Sequence, residues 1–599
     1  MCAGHTPPLT IAMRMELAGI MSSMSRKRTI LWLSLFILAL TVSCRRLAST
    51  PPVPTPSPRV CYPYRDGSRP GAPDPLETPT PPPTLSPAPT ASATPAPQYD
   101  FEIITHPDGG LYVGDRISFE VIPPDALDVT TATLRILPAG SDSAFETRFA
   151  PYGIAGRMQA TLYWVWDTSA LAAGAHSLTL AVQPLGYTWT YTVTLGAAET
   201  LPPPEPDAHW LTRETDCCIF HYVSDTAAAR EITATLELAD TLADHATAAL
   251  GVEFAEPMAV TLMPRVLGQG GFAANEMYIS YLDRNYAGSN FDMVLHHEMV
   301  HILDARLGGE MRPAILVEGL AVYLTGGHYK PEAILPRAAA LLPPDGQDES
   351  LGLGWYIPLR ELSENFYQSQ HEIGYIEAAA LVEYMVDRWG WEAYSAFYRG
   401  IRPVENGGQA DALDAALSDY FDLTLEELEA DFLDALRAQI LDADTVADVR
   451  LTVTFFDEMR RYQQIFDPSA YFRTAWLPDG PTMRARGLVA DLLRHPASLE
   501  NLALETLLVS ADAALDSGDP AAAADFLEAV TAVLDAVESG QSDPFDAHPL
   551  AAAYFAAVHG ALERGFQAEK IEIDGDTASV TVSDGWGNLQ VIEMPIPPE

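Results

Sequence analysis

The sequence predicts a multidomain protein in which an all-β sandwich is followed by an α+β domain and then by a mostly α-helical region. Short stretches of alternating apolar and polar residues, typical of half-buried strands, occupy residues 101–195. Strand-like and helix-like patterns are mixed over residues 210–439, and apolar residues at helical spacing dominate residues 449–559. A chain of 599 residues is long enough for several such domains.

The charge balance argues against one class of partner. The chain has 81 acidic and 35 basic residues, giving a formal charge of −46. Because surfaces that bind nucleic acid are basic, we expect no nucleic-acid partner.

The 5 cysteines are too few for a disulfide scaffold. Cys217 and Cys218 are adjacent. Because a disulfide between neighbouring cysteines closes a strained ring, we expect both to remain unbonded and to pack at the start of a strand. A bond from one of them to Cys61 is the alternative.

Residues 1–44 have the organisation of an export signal. A basic segment at residues 26–28 is followed by a largely apolar run of 13 residues, which is too short to span a bilayer comfortably. The run ends in Leu-Thr-Val-Ser-Cys and resembles a bacterial lipobox, with Thr41 where Leu is usual; the resemblance implies that Cys44 is lipidated. We therefore expect an exported protein anchored at the cell-surface membrane, with ordinary secretion or an uncleaved signal anchor as alternatives.

The next segments are a linker and the predicted sandwich. Residues 45–99 are rich in Pro, Thr and Ser and favour a disordered spacer. Residues 166–176 look like the turn before a late strand in bacterial immunoglobulin-like modules. The resemblance implies an immunoglobulin-like β-sandwich over residues 100–197, which we expect to act as a spacer or docking module. Its predicted strands are residues 117–121, 132–136, 177–182 and 188–193.

A second Pro-rich linker at residues 198–208 leads into the α+β domain, predicted over residues 209–440. Its opening segments have the apolar patterns of a strand, a long helix, a buried strand and a further strand after a glycine run. These segments are residues 218–223, 226–250, 258–262 and the second half of 268–281.

The central motif of this domain is His297-Glu298-Met299-Val300-His301. On a helix, residues four apart lie on one face, so His297 and His301 can direct two imidazoles at one metal ion. Glu298 lies about 100° round the helix and can reach a water molecule at that ion. Two ligands and a general base in this spacing indicate a catalytic zinc site.

A catalytic zinc needs a third protein ligand, and Glu318 is our candidate. It is the lone carboxylate in an apolar, helix-like stretch at residues 313–324. Burying such a group is costly unless it is paired or binds a metal. The Gly308-Gly309 break allows the chain to bring Glu318 back towards the histidines; the alternative is a surface cap or salt bridge.

These two segments together resemble the gluzincin metallopeptidases, most closely the peptidase MA-like group and the relatives of aminopeptidase N. The resemblance implies a thermolysin-like α+β peptidase domain with one Zn²⁺ bound by His297, His301 and Glu318. It also implies that Tyr375, at the start of the helix-like segment 374–385, hydrogen-bonds the tetrahedral intermediate. Val322 stands where thermolysin has an Asp four residues after the ligand Glu, so this helix supplies no Asp to support the metal ligands.

The resemblance extends to the strand before the motif, which in gluzincins is a sheet edge that binds extended peptide. The corresponding substrate-binding residues here are Ala273, Ala274, Asn275 and Glu276. Their order differs from the aminopeptidase motif whose Glu holds the substrate's free amino terminus. We therefore favour an endopeptidase over an exopeptidase.

Several other titratable residues lie near these motifs. Asp304 is a candidate for orienting a ligand histidine from the same helix, whereas His296 lies on another face and is interpreted as structural. His371 lies one turn before Tyr375 and either lines the cleft or is a surface residue. No role is predicted for His328.

The remaining chain is predicted as a helical domain at residues 441–567 and a β-hairpin tail at 568–599. Residues 502–537 form one helical hairpin with a Gly-Asp-Pro break. The whole sequence thus predicts a zinc metallopeptidase that acts on peptides or proteins at the cell surface. The alternative is a surface lipoprotein whose zinc fold is degenerate and which binds partners through its sandwich and helical domains.

Overall fold

The computed structural model describes residues 100–153, 156–274, 276–288, 290–307, 309–344, 351–471 and 479–596. The predicted export signal, its lipidation site Cys44 and the first linker lie outside the described residues. So does Asn275, one of the predicted substrate-binding residues. The chain is multidomain, with a sheet-rich N-terminal region and a largely helical C-terminal part. Among the described residues, no helix is long and apolar enough to cross a membrane.

The N-terminal sheet region contains one sheet ordered β1-β3-β7-β6 and another ordered β2-β9-β8-β4-β5. Its strands are β1 (Glu102–His106), β2 (Leu111–Tyr112), β3 (Arg116–Ile122), β4 (Thr133–Pro138), β5 (Phe145–Arg148), β6 (Ala150–Tyr152), β7 (Arg157–Asp167), β8 (Gly174–Gln183) and β9 (Tyr187–Gly196). Alternate residues such as Leu178, Leu180 and Val182 on β8 are buried between the sheets, as the period of a half-buried strand requires. The predicted strands are confirmed.

A mixed sheet follows, ordered β10-β11-β12-β14-β13. Its elements are β10 (Trp210–Glu214), β11 (Cys218–Val223), helix α1 (Ala227–Leu250), β12 (Met258–Met263), β13 (Gly271–Ala273) and β14 (Met277–Ser280). β11, β12 and β14 are parallel, whereas β10 and β13 pair antiparallel to their neighbours. β10 and β13 are therefore the two edge strands. β14, which the sequence predicted as the edge strand, lies inside the sheet because the glycine run folds back and pairs with it as β13.

The helices that carry the site come next. They are α2 (Phe291–Leu307), α3 (Ala314–Thr325), α4 (Ile334–Ala340), α5 (Leu359–Asn365), α6 (His371–Trp389), α7 (Trp391–Gly400), α8 (Gln409–Phe421) and α9 (Leu425–Arg437), with a short 3₁₀ helix at Phe366–Gln368. α3 follows Pro313 and ends at Gly326, whose φ of 80° is a left-handed conformation that glycine adopts readily. Thr424 caps α9 in a reciprocal pair with Glu427.

The C-terminal part is mostly helical and ends in a small sheet ordered β15-β16-β17. Its elements are α10 (Ala443–Phe466), α11 (Gly480–Arg486), α12 (Ala490–Leu493), α13 (Leu499–Ser517), α14 (Pro520–Glu538), α15 (Pro549–Leu562), β15 (Gln567–Asp574), β16 (Thr577–Ser583) and β17 (Leu589–Pro595). The predicted helical hairpin corresponds to α13 and α14.

One hydrophobic core crosses the boundary predicted at residue 440. It combines Val266, Tyr286 and Tyr329 from the central region with Phe455 and Phe456 of α10. Buried ion pairs cross the same boundary. Arg284 Nε lies 2.6 Å from Glu505 and its Nη1 lies 2.8 Å from Glu569. The central and C-terminal parts therefore share packing that the sequence pattern did not reveal.

The cysteine prediction was wrong. Cys217 and Cys218, both buried at the start of β11, form a disulfide with each other. The pair does lie at a strand start, as expected, but the bond closes between immediate neighbours rather than leaving them as separate packing groups.

Candidate metal centre

Helix α2 presents the first part of the site. His297 and His301 are one turn apart, and their rings meet edge to face with centroids 4.5 Å apart. Both side chains are partly exposed, at 15% and 18%, and His297 lines a surface cleft. The spacing thus produces the paired imidazoles that the sequence predicted.

Glu318 on α3 completes the cluster. Its Oε2 lies 3.3 Å from His297 Nε2 and 3.1 Å from His301 Nε2. One ligand atom from each residue lies within 4.8 Å of the other two. Two imidazole nitrogens and a carboxylate oxygen are the donor set that a catalytic zinc takes, with a fourth position left for water or substrate. The residues therefore fit the metal that the sequence implied.

The charges of this cluster depend on one another. Burial lowers the pKa of His297 to about 4, with His301 adding to the effect. Burial would also lower the pKa of His301, but Glu318 outweighs it and raises that pKa to about 9. Burial would raise the pKa of Glu318, yet the two imidazoles hold it well below its usual range. In the metal-free protein the carboxylate thus holds a proton on His301, where a metal cation would instead supply the positive charge.

Glu298 lies next to the ligands and is buried. Its carboxyl group faces the backbone N–H of Ala273 on β13, and within the described part of the chain its Oε2 makes no hydrogen bond. Burial raises the pKa of Glu298 to about 7, so the group can exchange a proton near neutral pH. This combination is expected of a general base.

Two glycines allow the close contacts on which this geometry depends. A Cβ at Gly319 would overlap the backbone carbonyl of Ala378 on α6, so the residue next to Glu318 has no space for a side chain. A Cβ at Gly271 would overlap the side chain of Val294 on α2. The sheet edge and α6 therefore reach the metal-binding helices only because glycine occupies these positions.

Tyr375 lies on the second turn of α6, not at its start, because the helix begins at His371. Its ring centroid is 6.2 Å from that of His297 and 4.4 Å from that of His328. Burial, together with the carboxylates of Glu318 and Glu298, raises the pKa of Tyr375 well above its usual range. The phenol therefore keeps its proton and remains a hydrogen-bond donor beside the ligands.

Sequence reasoning missed Tyr367. Its hydroxyl donates to Glu318 Oε1 at 2.6 Å, whereas the histidines lie near Oε2. No motif pointed to this tyrosine, because it lies on a short 3₁₀ helix outside any recognisable pattern.

Two further histidines line the cleft together with His297, Glu298 and Tyr375. His328, for which no role was predicted, pairs through Nδ1 with the buried carboxylate of Glu372 at 2.6 Å. His371 is buried in the cleft wall rather than exposed on the surface, and burial holds its pKa well below the usual range. The turn at Gly326-Gly327, which follows the Glu318 helix, was the sequence signal that could have indicated His328.

The predicted substrate-binding residues are placed in different environments. Ala273 lies on the free edge strand and Ala274 just beyond it, whereas Asn275 is outside the described residues. Glu276 corrects the prediction, because its carboxylate is buried and its Oε1 and Oε2 lie 3.0 and 2.7 Å from Arg484. It also accepts the hydroxyl of Thr261 on β12 at 3.0 Å, so it links β12 to α11 and is not presented to a substrate.

Asp304 is not aligned with a ligand histidine. Its Oδ2 accepts hydrogen bonds from Arg312 at 2.8 Å and from Tyr398 at 2.7 Å. Within the described part of the chain, Asp304 Oδ1 and His301 Nδ1 have no hydrogen-bond partner. His296 points towards His245, with ring centroids 6.4 Å apart, and away from the metal cluster.

Comparison with known proteins adds little to this site. No protein-family model matches the chain, and no curated protein matches it. Among solved structures, the chain is similar to a metallopeptidase from Bacteroides thetaiotaomicron, with 10% identity and a TM-score of 0.20 over 65% of this chain and 66% of that one. The match thus spans less than two thirds of that protein, and so low a TM-score does not establish a shared fold.

Proposed function

We propose that this chain is a zinc-dependent metallopeptidase that resembles the gluzincins and acts as an endopeptidase. The observation that carries the proposal is the convergence of His297 Nε2, His301 Nε2 and Glu318 Oε2 beside the buried Glu298. Ordinary surface ion pairs do not bring two imidazoles and a carboxylate to one point next to a carboxyl group with a raised pKa.

His297, His301 and Glu318 would hold the ion. When bound, zinc supplies Lewis-acid chemistry, which polarises the scissile carbonyl and makes water a stronger nucleophile. Glu298 accepts the proton of the attacking water and returns it to the leaving amine. A carboxyl group with a pKa of about 7 is suited to both steps near neutral pH.

Tyr375 supports the same reaction. Because its pKa is raised well above the usual range, its hydroxyl stays protonated and can donate to the oxyanion that forms on the scissile carbonyl. The donor stands on α6, which is packed against α3 through Gly319, so its position relative to Glu318 is held by the backbone.

The free edge of β13 is the surface we assign to the peptide. The backbone carbonyl of Gly270 and the backbone N–H of Ala274 pair inward, with Ser280 and Glu276. Because the hydrogen-bonding direction alternates along an antiparallel strand, the backbone groups of Gly271 and Ala273 point away from β14. An extended peptide can add to such an edge through main-chain hydrogen bonds, which accept many sequences. Glu298 faces Ala273, so a peptide on this edge runs past the general base.

We also propose that the chain is exported and anchored at the cell surface through Cys44, with an immunoglobulin-like module between the anchor and the peptidase. The basic and apolar segments before Cys44 and the sheet-rich region after residue 100 support this arrangement. Mass spectrometry of the membrane fraction tests it: a lipid-modified Cys44 peptide is expected, and an unmodified peptide that contains Cys44 contradicts it.

The deciding experiment compares the purified chain with two variants. We expect elemental analysis to find about one zinc per wild-type chain, loss of zinc in Glu318→Ala, and retention of zinc without peptide hydrolysis in Glu298→Gln. Full hydrolysis by zinc-loaded Glu298→Gln would refute the assigned base. A folded wild-type chain without zinc would refute the peptidase and favour a binding protein that acts through its sheet-rich and helical regions.

A further inference from the structure

The two oxygens of the Glu318 carboxylate face different partners. Oε2 lies 3.3 and 3.1 Å from the Nε2 atoms of His297 and His301. Oε1 accepts the Tyr367 hydroxyl at 2.6 Å. The side chain is 8% exposed, so solvent has little access to it. One oxygen is therefore directed at the metal position while the other is held from behind.

Such a hydrogen bond restricts what the carboxylate can do. A free carboxylate can rotate and bind a cation through one oxygen or both. A phenol that donates to Oε1 limits this rotation and leaves Oε2 facing the histidines. Because the acceptor is charged, the bond is stronger than one between neutral groups.

The position of Tyr367 is itself fixed by packing. Its ring meets that of the buried Phe366 edge to face, with centroids 5.3 Å apart. Phe366 in turn packs against Tyr375, with centroids 5.1 Å apart. One buried ring thus separates a tyrosine that binds the back of Glu318 from a tyrosine that lines the cleft.

We propose that Tyr367 is a positioning residue for the metal, which holds Glu318 so that it ligates through Oε2 alone. The inference rests on the metal binding proposed above, but it does not depend on peptide hydrolysis. Outer partners of metal ligands typically contribute about 10- to 100-fold to metal affinity. The Tyr375 phenol also hydrogen-bonds the Glu318 carboxylate, but it lines the cleft, whereas Tyr367 is the phenol that donates to Oε1.

The test is zinc competition with a chromophoric chelator, using the full chain, Tyr367→Phe and a matched control, Tyr356→Phe. The Tyr356 hydroxyl also donates to a carboxylate, Glu429 Oε1 at 3.0 Å, and it is likewise partly buried, but Glu429 is not a proposed ligand. We expect Tyr367→Phe to weaken zinc binding by about 10- to 100-fold and Tyr356→Phe to leave it unchanged.

A second measurement separates ligand geometry from general stability. Cobalt(II) replaces zinc, and its visible absorption reports the ligand field. We expect the spectrum of Tyr367→Phe to differ from that of the wild type and the spectrum of Tyr356→Phe to match it. Wild-type affinity and spectrum in Tyr367→Phe would overturn the role of Tyr367, whereas absence of metal in the wild type would overturn the proposed function itself.

A further pair of variants covers the case in which Tyr367→Phe does not fold. Tyr367→Gln keeps a hydrogen-bond donor, and Tyr367→Leu has a similar size but no donor. We expect the Gln variant to bind zinc more tightly than the Leu variant. Equal affinities in two folded variants would contradict the proposal.

Discussion

Glu318 is the residue on which the charges of the candidate metal centre depend. Without metal, its carboxylate holds His301 in the protonated form and raises that pKa to about 9. With a cation at the same point, both imidazoles must be neutral to act as ligands. A proton on His301 and a metal ion at the cluster therefore exclude each other, because both neutralise the charge of Glu318.

His106 provides a test of buried charge elsewhere in the chain. Its Nδ1 lies 2.9 Å from Asp108 and its Nε2 lies 3.2 Å from Glu120. Burial alone would lower the pKa of His106, but the two carboxylates outweigh it and raise the pKa to about 10. Because the folded state binds this proton more tightly, the stabilisation is complete below about pH 6.5 and is lost as the pH rises through about 10.

We therefore expect the urea midpoint of the wild type to fall between about pH 6.5 and about pH 10. His106→Gln should be less stable at the lower pH and should lose less stability over this interval, because it cannot bind the proton. Equal slopes for the two proteins would show that His106 does not supply the pH dependence.

At the residue scale, the sequence predicted those site residues whose spacing allows only one arrangement on a helix. Residues 297 and 301 lie on the same face of a helix whatever surrounds them. Glu318 was identified because a lone carboxylate in an apolar helix needs a partner. Glu276 was wrongly placed, because the resemblance to the gluzincin edge strand did not show that Arg484, more than 200 positions away, binds it. Tyr367 could not be found, because its importance comes only from its distance to Glu318.

At the scale of elements, the packing of α3 on α6 brings Glu318 and Tyr375 to the same cleft. Gly319 permits this packing, since its missing side chain leaves space for the carbonyl of Ala378. The sequence predicted both helices from apolar spacing, but it did not show how closely they approach. It also took β14 for the edge strand and predicted no strand at β13, because β13 has only three residues and gives almost no periodic signal.

Gly319→Ala should separate α3 from α6. We expect a loss of about 1–3 kcal/mol in the free energy of unfolding from overpacking, together with weaker zinc binding, because Glu318 moves with its helix. Denaturant titration and chelator competition measure the two effects. Val317→Ala, on the same helix, is the control, and it should cost stability without a comparable loss of zinc affinity; the opposite order would contradict this account.

At the scale of the whole molecule, buried ion pairs join regions that are far apart in sequence. Arg494 lies 2.6 Å from Asp115 of the N-terminal sheet region and 2.5 Å from Glu205. Trp164 donates to Asp491 at 2.5 Å at the same contact. The sheet-rich region is therefore packed against the C-terminal part over residues 491–494, a connection that a simple spacer would lack.

Replacing Arg494 with Met should leave two buried carboxylates without their cation. We expect this to cost about 3–5 kcal/mol of unfolding free energy while the zinc content stays unchanged, since the metal ligands lie elsewhere. Arg402→Met is the control. Its pair with Glu310 is 73% and 68% exposed, so it should cost less than about 1 kcal/mol. Similar losses in the two variants would argue against a buried, structural contact at Arg494.

The predicted boundary at residue 440 separates two parts that share one core. Composition changes little there, and each side has a helical pattern, so nothing local reveals that Tyr329 packs against Phe455. Contacts of this kind join residues more than 100 positions apart and appear only after folding. The N-terminal sheet region, by contrast, was predictable because it lies between proline-rich segments and has a period of two.

Phe456 of α10 contacts the cleft histidines from behind, with its ring centroid 5.0 Å from that of His371 and 5.7 Å from that of His328. The C-terminal part thus supplies part of the wall of the cleft. Chimeras that combine residues 209–440 of this chain with the C-terminal part of a divergent relative should lose the wall of the cleft unless an aromatic ring is retained at position 456. A substitution in α10 can accordingly change the shape of the cleft, even though the helix supplies none of the proposed metal ligands.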